Sequence, residues 1–130
     1  MGLRIGIVED NAVISEMLQA ALQLSGNEVV IYSNAQECIN ALISAHWQNE
    51  KLHDIVLTDL DLGQSIDGAE MIRRVRQFIP AEELAFLMMS GHDLVEQNLL
   101  RQNLLDIRVL LKPIKPSELL KELKREVAKK

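Results

Sequence analysis

Short runs of Ile, Val and Leu alternate along this chain with longer stretches whose apolar residues recur every three or four positions. Residues 3–8, 28–32, 54–58, 84–89 and 108–111 form the short runs. Near-continuous apolar character over four to six residues suits a strand covered on both faces. Between these runs the pattern is helical. Ile14, Met17, Leu18, Ala21 and Leu22 fall at i, i+3, i+4, i+7 and i+8, and Gly26 stands where such a helix would stop. A second helix is expected from Ala35 to about Ala45, carrying Ile39, Leu42 and Ile43. A third runs from Ala69 to Ile79, carrying Ile72, Val75 and Ile79, with Pro80 closing it. Residues 93–105 make a weaker fourth, because Leu94, Val95, Leu99 and Leu100 are spread around the helix instead of aligned. The last helix begins with Pro116 in its first turn and Glu118 near the positive end of the dipole. Leu119, Leu120, Leu123 and Val127 then give it a buried stripe. Strand–helix alternation repeated five times predicts a doubly wound α/β domain with a five-stranded parallel sheet and five helices.

Polar residues mark one end of that sheet. Glu9 and Asp10 follow the first run, Asp59 and Asp61 the third, Ser90 the fourth and Lys112 the fifth. In an open parallel sheet with right-handed crossovers, those C-terminal ends converge on the edge where ligands bind. Two carboxylates about 4 Å apart repel by roughly 4 kcal/mol at an effective dielectric near 20. Acids gathered there need a cation, or one of them must take up a proton. Hard oxygen ligands suit magnesium, and a carboxylate oxygen can attack phosphorus to give an acyl phosphate. A lysine ammonium and a serine hydroxyl would neutralise and bond the phosphoryl oxygens. Taken singly, each residue has a plainer role. Asp59 alone would be a turn or cap residue, and Glu9 and Asp10 would cap the first helix, with Asp10 able to do both jobs. Ser90 would be a turn serine beside Gly91, and Lys112 a solvated surface charge. Only the shared edge sets them apart.

Composition works by exclusion. At 130 residues the chain fits one domain with a sizeable core, and 25% charged against 48% apolar residues is ordinary for a globular protein. The net charge is −5, and the basic tail 121–130 is interrupted by Glu122 and Glu126, so direct nucleic-acid binding is not expected. Cys38 is the single cysteine and reads as a packing residue on a helix. No apolar run approaches the roughly 20 residues that cross a bilayer. The N-terminus does not look like a signal peptide, so a cytoplasmic protein without membrane association is expected. His46 and His53, with Trp47, fall in or near a polar stretch without metal-ligand spacing and are expected to be solvated. Met71, Met88 and Met89 are expected to fill the core.

Five segments, each after an expected strand or opening the helix beyond it, carry a family resemblance: "RIGIVEDN", "DIVLTDLDLG", "DGAEMIRRVR", "LMMSGH" and "VLLKPIKPSELLKEL". In that order they resemble the receiver domain of bacterial two-component response regulators, the CheY-like superfamily, over essentially the whole chain. The resemblance implies a flavodoxin-like three-layer sandwich with strand order 2-1-3-4-5. It implies a single receiver domain over 1–130, standing alone or forming the N-terminal part of a longer regulator. Asp59 would be the phosphoacceptor, taking its phosphoryl group from a phosphohistidine on a histidine kinase or histidine phosphotransfer protein. Glu9, Asp10, Asp59 and the backbone carbonyl of Asp61 would hold Mg2+ (or Mn2+). Ser90 takes the Thr/Ser switch position, and Lys112 contacts the phosphoryl group with a cis Lys112–Pro113 peptide behind it. The backbone N–H groups of Leu60 and Gly91 would donate to the phosphoryl oxygens. Asp61 and His92 would flank the path of the hydrolysing water and so set the lifetime of the acyl phosphate. Such a domain is no enzyme beyond its own phosphorylation and dephosphorylation. Phosphorylation would pull Ser90 inward and repack the face of the fourth helix, fifth strand and fifth helix. That face would serve a downstream output domain or protein, or a homodimer formed on phosphorylation.

The chain departs from the family pattern in places. Val109 stands three before the lysine, where Tyr or Phe is common, and has no large rotamer swing to offer. Repacking then falls to the fourth helix itself. The loop from residue 60 to Asp67-Gly68 lacks the usual proline and is one residue longer, Leu105-Asp106 replaces a common Gly-Ala, and residues 46–51 lengthen the link into the third strand. Rival readings remain. Asp59-Leu60-Asp61 also resembles the nucleophile motif of haloacid-dehalogenase-type phosphatases, although no acidic pair follows Lys112. A topoisomerase-primase type of metal site would leave Ser90 and Lys112 unexplained, and Glu9-Asp10 would repel a flavin phosphate. A degenerate receiver acting only as an interaction module is the last alternative.

Overall fold

The computed structural model describes residues 2–62, 66–91, 104 and 107–129. Its elements run β1 (Arg4–Val8), α1 (Ala12–Leu24), β2 (Glu28–Tyr32), α2 (Ala35–Trp47), β3 (Ile55–Asp59), α3 (Gly68–Val75), β4 (Ala85–Ser90), β5 (Arg108–Leu111) and a C-terminal helix, α4 (Pro116–Ala128). All neighbouring strands are parallel and the sheet order is β2-β1-β3-β4-β5, as expected. The weak fourth helix expected over 93–105 falls, apart from Leu104, outside the described residues.

The runs of the inner strands β1, β3 and β4 are covered on both faces, whereas the edge strands β2 and β5 leave residues such as Val30 and Leu111 exposed. Successive strand residues point to opposite sides. Ile5, Ile7, Ile55, Leu57, Leu87 and Met89 meet Leu18 and Leu22 of α1 and Leu119 and Leu123 of α4. On the other side Val8, Val56, Phe86 and Met88 meet Cys38, Ile39 and Leu42 of α2 and Ile72 and Val75 of α3. Met71, Met88 and Met89 are buried, as is the free thiol of Cys38, which burial pushes up to about 12.

Several boundaries move by a residue or more. β3 and β4 end at Asp59 and Ser90, so both polar residues close their strands instead of following them. Helix α1 is capped by Asn11, whose side chain accepts from Ile14 N at 3.1 Å, and not by Asp10. Asn11 is the residue with extended backbone immediately before the first helical turn, which is what an N-cap requires. Helix α2 extends to Trp47, so His46 and Trp47 belong to the helix. Helix α3 starts at Gly68 and stops at Val75, four residues before the expected end. Residues 76–79 continue as tight turns, with Gln77 N donating to Arg74 O and Phe78 N to Val75 O, before Pro80 ends the segment. His53 is a correction of substance. It is buried at 3% exposure, with Nε2 2.7 Å from Tyr32 Oη. Gly6 on β1 leaves the room for this pair: a Cβ there would lie 2.9 Å from His53 Cδ2 and 3.2 Å from Tyr32 Cε2.

Candidate functional site

Backbone pairing continues past the strand ends on the edge where the polar residues collect. Glu9 N donates to Tyr32 O at 3.2 Å, Leu60 N to Met89 O at 2.9 Å and Lys112 N to Ser90 O at 2.8 Å. These bonds fix the chain directions from which the functional side chains leave. Asp59, Glu9 and Ser90 are buried and Lys112 is half-buried. Lys112 Nζ donates to Asp59 Oδ2 at 2.6 Å and lies 3.5 Å from Glu9 Oε2. The other Asp59 oxygen, Oδ1, accepts from the backbone N–H of Asp61 at 3.1 Å. Glu9 Oε1 accepts from Asn11 N at 3.2 Å, while Oε2 is buried without a hydrogen-bond donor among the described residues.

The charges respond to this crowding. Burial pushes the Glu9 carboxyl up to about 7; the Asn11 N–H and the Lys112 ammonium pull it down, and the charge on Asp59 adds to the rise. For Lys112, burial disfavours the charged form, but the hydrogen bond and charge of Asp59, backed by Glu9, outweigh it and raise the ammonium above its ordinary range. Asp10, Asp61 and Gly91 stand exposed at the same edge. Among the described residues no three Asp, Glu, His or Cys side chains gather into a metal-binding cluster. Among the described residues the compact part is therefore a pair of acids, Glu9 and Asp59, with Lys112 as their counter-charge. Hard oxygens of both acids and the undonated Glu9 Oε2 nonetheless suit a magnesium-type cation.

Ser90 is placed one strand from Asp59, since Asp59 pairs with Met89, and Lys112–Pro113 is a cis peptide. Val109 is half-buried against the α2–α3 side of the core. His92 lies outside the described residues. Two neighbours of the site escaped the sequence reading. The Thr58 hydroxyl donates to Asp59 O at 3.0 Å. Gly68, held by its N–H to Leu60 O at 2.9 Å, presses so close that a Cβ would sit 2.5 Å from Asp59 O. A glycine opening a helix directly after its Asp67 cap was the available signal for close backbone approach.

A family model described as "Response regulator receiver domain" matches residues 5–124. The chain belongs to the response regulator receiver family. Over 74 residues, 57% of its length, this receiver is 38% identical to the virulence transcriptional regulatory protein PhoP of Salmonella typhimurium, of which the match covers 30%. Over 122 residues, 94% of its length, it is 30% identical to the sensor protein TorS of Escherichia coli, of which the match covers 12%. The receiver thus spans less than a third of the length of these curated relatives. In fold it is similar to a response regulator receiver domain protein (CheY-like) from Methanospirillum hungatei, with TM-score 0.81, 24% identity, and coverage of 99% and 96% of the two chains. Receiver domains are signalling modules of two-component systems, and neither the phosphatase alternative nor that of a degenerate module is favoured for this one.

Proposed function

We propose that this receiver is a phosphoacceptor in which Asp59 takes a phosphoryl group from a phosphohistidine of a histidine kinase or phosphotransfer protein. The observation that carries the reading is the fixed state of the Asp59 carboxylate. One oxygen is tied to the Asp61 N–H, and the other meets the Lys112 ammonium at 2.6 Å. In the transfer, an Asp59 oxygen forms the O–P bond while the P–N bond to the donor imidazole breaks. The imidazole leaves with the bonding pair and takes up a proton. Lys112 stands where it can follow the negative charge from the carboxylate onto the phosphoryl oxygens. The Ser90 hydroxyl and the backbone N–H groups of Leu60 and Gly91 would complete the donors, which needs Leu60 N to share its bond to Met89 O. Glu9, Asp10, Asp59 and the Asp61 carbonyl would hold Mg2+ or Mn2+, which when bound supplies further positive charge to the phosphoryl oxygens. Asp61 and His92 would govern the access of hydrolysing water, and Val109 would leave the output repacking to the segment before β5.

Other features fit this reading. Ile14, Met17 and Pro113 help line an apolar hollow of about 400 Å³ beside Lys112, and Val13 is exposed on the same helix, which suits docking of a phosphodonor protein. Among the described residues no helix is long and apolar enough to cross a membrane. We take residues 1–130 as one receiver domain, serving an output domain or protein alone or within a longer regulator. Incubation with acetyl phosphate and magnesium should give one acyl phosphate per chain, mapped to Asp59 by mass spectrometry. Undiminished labelling in Asp59→Asn, or steady turnover of the donor with no labelled chain, would refute it.

A further inference from the structure

Thr58 directly precedes Asp59 and is fully buried. Alternation along β3 puts Val56 and Thr58 on the side of α2 and α3, opposite the side shared by Ile55, Leu57 and Asp59. From there the Thr58 hydroxyl donates to the backbone carbonyl oxygen of Asp59 at 3.0 Å. Gly68 closes over the same atoms, its missing Cβ lying 2.5 Å from that carbonyl oxygen and 3.1 Å from Thr58 Oγ1. The N–H of the same peptide, that of Leu60, donates to Met89 O at 2.9 Å. The peptide joining residues 59 and 60 is therefore held at both ends, its N–H by β4 and its C=O by Thr58.

We propose that Thr58 is a positioning residue for phosphoryl transfer, its hydroxyl fixing the Asp59–Leu60 peptide plane and through it the aim of the Asp59 carboxylate. The inference rests on the reading of Asp59 as phosphoacceptor and adds a residue that touches neither donor nor phosphoryl group. A buried carbonyl stripped of its hydroxyl donor turns toward another donor. Such a turn swings the Asp59 side chain away from Lys112 Nζ and the Asp61 N–H. In-line attack demands near-contact geometry, and a misplacement of about 1 Å costs roughly a hundredfold in rate.

The test compares Thr58→Val, which keeps the branched shape without the hydroxyl, with Thr58→Ser, which keeps the hydroxyl without the methyl. Each is made in the 130-residue chain and labelled by acetyl phosphate with magnesium, with the rate followed against donor concentration. Thermal unfolding sets a temperature at which every variant is folded, and Thr58→Ala replaces the valine variant if that one does not fold. The expected result is a maximal labelling rate lowered about tenfold or more without the hydroxyl, and restored in Thr58→Ser. Half-saturating donor should stay within about twofold. An unchanged maximal rate in the hydroxyl-free variant, or an equal loss in Thr58→Ser, would overturn the proposal, the latter by assigning the effect to packing. A wild-type chain that takes no label would instead overturn the phosphoacceptor reading beneath it.

Discussion

One ammonium group balances two buried carboxylates at the sheet edge. Lys112 meets Asp59 at 2.6 Å and Glu9 at 3.5 Å, and removing it leaves both acids without their counter-charge. Lys112→Ala should therefore slow labelling of Asp59 by about 10²- to 10³-fold, in the range of lost charge-stabilising donors, with a rate near wild type ruling this role out. A second residue-scale prediction concerns His53, far from that edge. Burial, helped by the charge of Arg4 and opposed by that of Asp54, lowers its imidazole to about 4. The unfolded chain takes up this proton near pH 6.5 and the folded chain does not. His53 thus contributes stability that is complete above about pH 6.5 and is lost as pH falls toward about 4. Glu9 acts oppositely: raised from 4.5 to about 7, it relieves strain on the fold as pH falls through the same window. The clean measurement is the difference in urea-unfolding free energy between wild type and His53→Gln, whose amide can keep the bond to Tyr32. That difference should shrink from pH 7 to pH 5; a constant difference would contradict the assignment. The contrast between the two residues shows what was legible. Asp59, Glu9, Ser90 and Lys112 could be placed because strand ends and charge converge on one edge. His53 could not, because its burial depends on the vacancy that Gly6 leaves on β1.

Elements were readable where periodicity was strong, and their ends were decided by single side chains. The five strands and the sheet order emerged as expected, yet α3 ends at Val75 and α1 is capped by Asn11. Caps and turns depend on one hydrogen bond each, which an apolar pattern does not encode. Two substitutions probe this level. The side chain of Asp67 caps α3 by accepting from Glu70 N at 2.8 Å. Asp67→Ala should cost about 1 kcal/mol in urea unfolding, and an unchanged midpoint would show the cap to be idle. Gly6→Ala pushes a methyl against the His53 and Tyr32 rings, with 2.9 Å to the nearest atom. Both rings are buried, so the strain has little outlet, and a loss of about 1–3 kcal/mol is expected. A neutral Gly6→Ala would mean that the rings yield freely.

At the scale of the whole molecule, the fold holds like charges together at one sheet edge. Glu9 and Asp59 are buried at the ends of neighbouring strands, and Glu9 Oε2 lacks a donor among the described residues. A divalent cation that binds this arrangement and not the unfolded chain must stabilise the fold by mass action. At a hundred times its dissociation constant the gain is about 2.7 kcal/mol, or roughly ten degrees in Tm for a domain of this size. Magnesium should produce that rise, a chelator should reverse it, and Glu9→Gln should remove most of it. The rise should also be smaller at pH 5 than at pH 8. Glu9 holds a proton to about 7 in the metal-free fold, and the cation has to displace that proton before it can use the oxygen. Equal gains at both pH values would mean that Glu9 is not a ligand. A gain surviving in Glu9→Gln would move the cation to Asp10 and Asp61, which among the described residues are exposed acids of the same edge.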